Sequence, residues 1–160
     1  KFNLYKYADV VNDISTLVEE GLFSGKEKVR INYLKAFSLY KTNNIDQSLI
    51  EFSWLVENTE GELKAESFYY ISLLLYNNQD YTSSQDTIFQ LINEMPSYQI
   101  WIEKSLLILA KNYIMQEDMF QAQHVLLELE KKSQNEDILD DLRGILTVHF
   151  PNSLDSLKYK

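Results

Sequence analysis

Apolar and small residues fall at helical spacings along most of this chain, and one arrangement of them occurs three times. It runs from Ala110 to Ala122, twelve residues on, and then to Leu126 and Leu129, four and seven residues further. Ser72, Ser84, Ile88 and Leu91 repeat it, as do Ala36, Ser48, Phe52 and Leu55. Between the two small residues of each set lies a polar stretch: Thr42-Asn43-Asn44, Asn78-Gln79-Asp80 and Gln116-Glu117-Asp118. Ile45, Tyr81 and Met119 close these stretches. The steps from Ala36 to Ser72 and from Ser72 to Ala110 are 36 and 38 residues, within the period range of helical repeat proteins.

The same periodicity predicts the elements. Val10, Val11, Ile14, Leu17 and Val18 form one apolar stripe, so Tyr5 to Glu20 reads as a helix, with Gly21 as its C-cap. Glu27 to Lys41 and Asp46 to Glu57 form the first full pair. Lys64 to Tyr76 and Tyr81 to Asn93 form the second, and Glu103 to Met115 and Met119 to Lys131 the third. Asn58 to Leu63, with Gly61, is a turn, and Pro96 to Ile100 lengthens the linker before the third pair. A further helix is expected from about Glu136 to His149, with Gly144 standing where Ala110 stood one unit earlier. Ser153 to Lys160 would begin a final helix after Pro151. The first helix of the first pair is the least regular. It carries Asn32 and Lys35 where later units carry Phe68, Ile71 and Leu106, Leu109, so Tyr33, Leu34, Phe37 and Tyr40 must supply its apolar surface. A shift of register by one residue would also accommodate it.

These spacings have a direct physical sense. Two amphipathic helices cross closely only where a small residue permits it, which assigns the small pairs, Ala110 and Ala122 among them, to the crossings. The Leu, Ile and Phe positions that follow fill the space toward the next unit. No single pair buries its apolar face alone, so the pairs must stack. About eight helices and no sheet are expected.

Composition narrows the picture. A chain of 160 residues, 45% hydrophobic, can bury a sizeable core. Four glycines and two prolines suit helices with short connections, and the absence of cysteine removes disulfides and thiolate chemistry. The formal charge of -9 repels phosphate backbones, so no nucleic-acid partner is expected. The one basic cluster, Lys26, Lys28 and Arg30, reads as a solvated helix start rather than a phosphate site. No apolar run approaches the ~20 residues that span a bilayer, so no direct membrane span is expected. The chain opens on Lys1 rather than Met, and is read as a mature or excised piece.

A small residue on the first helix, a polar turn ending in Asp and an aromatic, a small residue on the second helix and then Pro together resemble the tetratricopeptide repeat (TPR). Ser72, Asp80-Tyr81, Ser84 and Pro96 carry the likeness in one unit, and Ala110, Tyr113, Asp118 and Ala122 in the next. No unit opens with Trp or Leu-Gly, and the turns lack the usual Gly. The likeness covers roughly residues 29 to 136. It implies an all-α, right-handed superhelix of antiparallel helix pairs, an α-solenoid forming a single domain over 1–160. Residues 1–25 would be an N-terminal cap helix, 29–62, 65–98 and 103–136 the repeat units, and 137–160 a partial fourth unit or C-terminal cap. A generic stack of helical hairpins is the plainer alternative. The linker with Pro followed by an aromatic, and Phe150-Pro151-Asn152-Ser153, look like repeats of bacterial cell-envelope TPR proteins. On that likeness the periplasmic side of the envelope is favoured over the cytoplasm.

Little in the chain points to chemistry. His124 and Glu128 lie four apart on one helix face, which is too few ligands for a metal site, and none is expected. Glu136, Asp137, Asp140 and Asp141 suit a helix start, where carboxylates meet the positive end of the dipole, and their spacing is not that of a calcium loop. There is no nucleophile elbow, Gly-rich phosphate loop or Walker sequence, so no catalytic residue and no cofactor is assigned and the chain reads as a non-enzyme.

The TPR likeness implies a protein or peptide partner lying in a concave groove lined by the first helix of each pair. The groove positions are Tyr33, Phe37 and Tyr40 in the first unit and Tyr69, Tyr70, Leu73, Tyr76 and Asn77 in the second. In the third they are Leu107, Ile108, Lys111, Ile114 and Met115. Tyrosine offers apolar area and a hydroxyl together, which suits apolar anchors of an extended or helical segment rather than a carboxylate clamp. Alternatively, these rings only pack neighbouring first helices together, or sit under the cap helix. A second functional reading is a structural or self-assembly module, with end helices docking on another copy as a homodimer.

Overall fold

The computed structural model describes residues 25–151, together with Lys6, Tyr7, Asp9, Asp13 and Ile14. Among the described residues the chain is all-helical, with seven helices and no strand. These are α1 (Gly25–Lys41), α2 (Ile45–Asn58), α3 (Glu62–Asn77), α4 (Tyr81–Glu94), α5 (Gln99–Met115), α6 (Met119–Lys132) and α7 (Glu136–His149). The five described residues before α1 are helical. The rest of the expected Tyr5 to Glu20 helix, and the expected helix over Ser153 to Lys160, lie outside the described residues.

Helices adjacent in sequence pack together all along the chain, and α3 also packs on α5, as α5 does on α7. The even-numbered helices are amphipathic and bury one stripe each. Those stripes are Ser48, Phe52 and Leu55 in α2, Ser84, Ile88 and Leu91 in α4, and Ala122, Leu126 and Leu129 in α6. The spacing of four and seven is the one read from the sequence. The central helix α5 buries residues around most of its circumference, from Ile102 and Glu103 to Ala110 and Asn112, because α3, α4, α6 and α7 all lie against it.

Each small-residue pair is fully buried. At two of the crossings a hydroxyl fastens the helices. Ser48 Oγ donates to the Ala36 carbonyl at 2.9 Å, and Ser84 Oγ donates to the Ser72 carbonyl at 2.8 Å. The third pair, Ala110 and Ala122, has no hydroxyl to offer. The Ser48 bond also fixes the register of α1, so the one-residue shift entertained for that helix does not occur. Asn32 is buried, at 7% exposure, and Lys35 reaches Glu51 at 2.6 Å. Leu34, expected to supply apolar surface, is 43% exposed instead.

The three turns share one backbone. Asn43, Gln79 and Glu117 have φ of 61°, 63° and 63°. In the second turn, Gln79 N–H donates to the Tyr76 carbonyl and Asp80 N–H to the Leu75 carbonyl. The Asn43–Asn44 and Glu117–Asp118 turns repeat both bonds. This is a Schellman closure, whose left-handed position usually holds Gly. Asp80 and Asp118 then cap the next helix, accepting from Ser83 and Gln121 N–H at 3.1 Å.

Besides small shifts, such as α1 starting at Gly25 rather than Glu27, two expected boundaries move for a visible reason. Residues 62 and 63 are helical, not part of the turn, because Gly61 supplies the positive φ of 72° from which α3 starts. A Cβ there would also meet the Tyr98 hydroxyl at 3.3 Å. The second shift is larger: α5 starts at Gln99, four residues before the expected Glu103. Tyr98 N–H bonds back to the buried Met95 carbonyl, and Ile102 packs in one cluster with Phe68 and Leu91. Gly144 is exposed, and a Cβ there would meet nothing within 4 Å.

Candidate functional site

The predicted groove residues do not form one surface. Tyr69, Leu73 and Lys111 line a common cleft of about 260 Å³. Its α5 wall also includes Ile100, Lys104, Leu107 and Ile108, and its far wall is Asn135, Asp137, Ile138 and Asp141 from α7 and its cap. Leu107 and Ile108 are buried, so they form its floor rather than an exposed face.

The other predicted positions sit elsewhere. Phe37 is half-buried among the rings of Tyr33, Tyr40 and Tyr70, and its ring centre lies 6.3 Å from that of Tyr7. Tyr70 turns inward, stacked on the buried Phe52 at 5.0 Å with 14° between the planes. Tyr76 packs beside Tyr81 at 5.9 Å. Asn77 and Met115 are exposed at helix ends, Ile114 is half-buried, and neither Tyr33 nor Tyr40 lines the cleft. Much of the aromatic set therefore joins neighbouring helices, the plainer of the two roles foreseen for it.

A polar line crosses the same side of the molecule. Tyr33 Oη donates to Glu66 Oε1 at 2.9 Å, linking α1 to α3. Burial, then the hydrogen-bonded Glu66 carboxylate, pushes the Tyr33 phenol up to about 12. Burial also raises Glu66, against the opposing pull of the Tyr33 hydrogen bond and of Lys104. Tyr69 is raised mainly by burial, with Tyr40 and Asp141 adding to it. Lys104 Nζ lies 4.4 Å from the Trp101 ring centre and 5.9 Å from that of Tyr69. Its charge thus rests on aromatic faces.

What holds the α7 wall in place is a buried clamp. Ser133 Oγ donates to Glu103 Oε2 at 2.6 Å and accepts from Asn135 N–H at 3.2 Å, while Gln99 Nε2 reaches Glu103 Oε1 at 3.1 Å. Asn135 Oδ1 in turn caps α7 through Ile138 N–H at 3.2 Å. Charge-assisted bonds of this kind fix the linker against α5, and so fix where Asp137 and Asp141 stand. The acidic cluster divides by helix face. Asp140 and Glu136 meet Arg143, at 3.2 and 3.9 Å, whereas Asp137 and Asp141 face the cleft.

Sequence reasoning missed Lys104, Asp137 and Asp141. The available signals were spacings: Lys104 and Lys111 are seven apart on α5, and Asp137 and Asp141 four apart on α7, so each pair shares a helix face. The other flagged charges have simpler roles. Glu128 is held below the usual carboxylate range by its hydrogen bond from Lys131, with Lys132 beyond, and His124 is exposed. Lys28 lies over the Trp54 ring at 5.3 Å. These two residues border a larger cleft, about 750 Å³, edged by Gly25, before which residues 15–24 lie outside the described set.

No protein-family model, no curated protein and no solved structure matches this chain. Among the described residues no helix is long and apolar enough to cross a membrane.

Proposed function

We propose that this chain is a non-enzymatic interaction scaffold of TPR-like build, a right-handed superhelix that holds a segment of a protein partner against its odd-numbered helices. The observation that carries the reading is the cleft lined by Tyr69, Leu73 and Lys111, three positions chosen by repeat register, on two helices from different pairs. Identical left-handed turns and buried small pairs support a repeat architecture beneath it. A half-apolar, open cleft bordered by aromatic and charged side chains suits an anchor side chain of a peptide.

The test is selection of binding peptides from a randomised display library, followed by affinity measurement. Tyr69→Ala with Leu73→Ala should weaken binding on the order of tenfold or more while circular dichroism reports a folded helix bundle. Ile50→Ala, exposed on α2, should leave affinity unchanged. Equal affinity in the folded cleft variant would move the site elsewhere.

A second reading is self-assembly through α7. Gly144 stands in open space, and Val148, 73% exposed, is one apolar side chain left uncovered on that helix among the described residues. Light scattering after size exclusion tests it: a concentration-dependent dimer that Val148→Lys abolishes would support this reading.

A further inference from the structure

We infer that the third turn, between α5 and α6, is a docking point for a short segment of a partner protein: one bulky apolar side chain next to a lysine or arginine. This surface is separate from the cleft and does not depend on it. Three of the seven large apolar side chains exposed among the described residues, Met115, Met119 and Phe120, fall at this one turn. Phe120 is 75% exposed and Met115 52%. The bonds from Glu117 N–H to the Ile114 carbonyl and from Asp118 N–H to the Tyr113 carbonyl fold the chain back between them, so they form one patch rather than scattered positions. The other two turns share the backbone but not the patch. Lys41 and Asn77 stand where Met115 does, and Asp46 and Thr82 where Phe120 does. Ile45 and Tyr81, the counterparts of Met119, are half-buried, Tyr81 against Tyr76. Building the turn therefore does not require apolar residues at these places.

The surroundings decide what the patch takes. Glu117 and Asp118 lie between its apolar residues, and no lysine or arginine occurs between Lys111 and Lys131. Lys111 itself, one helical turn before Met115, lines the cleft. The side chain that reaches the turn from the second pair is neutral: Gln85 Nε2 donates to Gln116 Oε1 at 2.7 Å. A second copy of this chain is a poor occupant. In a twofold pairing the patch would face itself and set Glu117 and Asp118 against their own copies, on a chain of formal charge -9. Three side chains also expose roughly a few hundred Å², short of the ~800 Å² that each partner of a stable pair buries. A short segment needs less. Its apolar side chain lies among Met115, Met119 and Phe120, where unbranched methionines adapt to its shape, and its basic residue meets the carboxylates.

The test is a randomised peptide display library selected on the parent chain and counter-selected on Met115→Asn with Phe120→Thr. Both replacements are the residues at the same places in the second turn, so circular dichroism should report an unchanged fold. The enriched peptides should share an aromatic or large aliphatic residue next to a lysine or arginine. They should lose affinity on the order of tenfold or more in that variant. Glu117→Gln with Asp118→Asn, which keeps a capping residue, should weaken them less, and more at low salt than at high salt. Phe89→Ala, exposed on α4, should leave their affinity unchanged. If no peptide tells the parent from the Met115 and Phe120 variant, or the enriched peptides share no basic residue, the inference is overturned. A concentration-dependent dimer in light scattering that this variant abolishes overturns it as well, because a second copy would then be the occupant.

Discussion

The α1–α3 end and the α5–α7 end of this molecule use the same frame to make different interiors. At the α1–α3 end the helices are joined by rings: Phe52 on Tyr70, Tyr70 against Phe37 and Tyr40, and the Tyr33 hydroxyl on Glu66. At the α5–α7 end the core is aliphatic, with Leu107, Leu126, Leu129, Ile138, Leu142 and Leu146 around Ala110. The frame positions hardly change between them, being small residues at the crossings and a left-handed turn residue between. The positions that change lie on the odd helices. One register step carries Tyr33 to Tyr69 to Leu107, and another Phe37 to Leu73 to Lys111. In such a chain, one set of positions builds the frame while a neighbouring set differs in chemistry from one pair to the next.

The largest effects should come from testing whether the ends are held as described. Phe52→Ala should cost about 3–5 kcal/mol in denaturant unfolding and change the near-ultraviolet signal of the tyrosines. Leu126→Ala should cost about 2–5 kcal/mol with that signal kept. The crossings come next. Ser84→Ala should cost about 1–3 kcal/mol, since it removes the bond to Ser72 and leaves the Asn112 amide, which donates to Ser84 Oγ at 2.8 Å, without its acceptor. At the all-alanine crossing the sensitivity is to volume, and Ala122→Leu should cost about 1–3 kcal/mol by overpacking. A melting temperature equal to that of the parent would break the proposed frame. Smaller still, Glu117→Gly should stabilise by about 0.5–1 kcal/mol, by relieving the left-handed position in the third turn.

The last contrast appears only at alkaline pH. Tyr33 ionises at about 12 in the folded chain against 10.0 ordinarily, so the neutral phenol is the form that folding favours. Its contribution is complete below pH 10 and is lost as pH rises toward about 12. Ultraviolet titration should therefore show Tyr33→Phe removing a late-ionising tyrosine. Loss of a tyrosine that ionises near the ordinary 10.0 instead would break the Tyr33–Glu66 link.

Most of the frame was legible because it rests on residue size and spacing. Ala36, Ser48, Ser72, Ser84, Ala110 and Ala122 were each placed at a crossing by position alone, and all six are buried. The start of α5 was misread because Pro96 suggested a longer linker, while Ile100, Trp101 and Ile102 already belonged to the helix. The candidate site was half legible. Tyr69, Leu73 and Lys111 follow from register, but Tyr70 is rotated about 100° from Tyr69 on the same helix, and that turn sets it against the buried Phe52. Asp137 and Asp141 were read as complements of a helix dipole, which concerns their own helix and says nothing of what stands opposite. That they line the same cleft as Lys104 follows from how α7 packs on α5, where the buried Ser133–Glu103 bond spans 30 residues and leaves no periodic trace.

Asn112, Ser84 and the Ser72 carbonyl form a relay from α5 through α4 to α3, inside the protein and away from the cleft. Chains of stacked helix pairs tend to fray from their ends, one pair at a time, because each pair touches only its neighbours. The relay works against such piecemeal opening at this boundary. Detaching α5 from the second pair would leave the Asn112 amide without its acceptor wherever the site stayed dry. The middle of the molecule should accordingly exchange its backbone amides as one cooperative block, with the pair α3–α4 and the helix α5 sharing a single opening event.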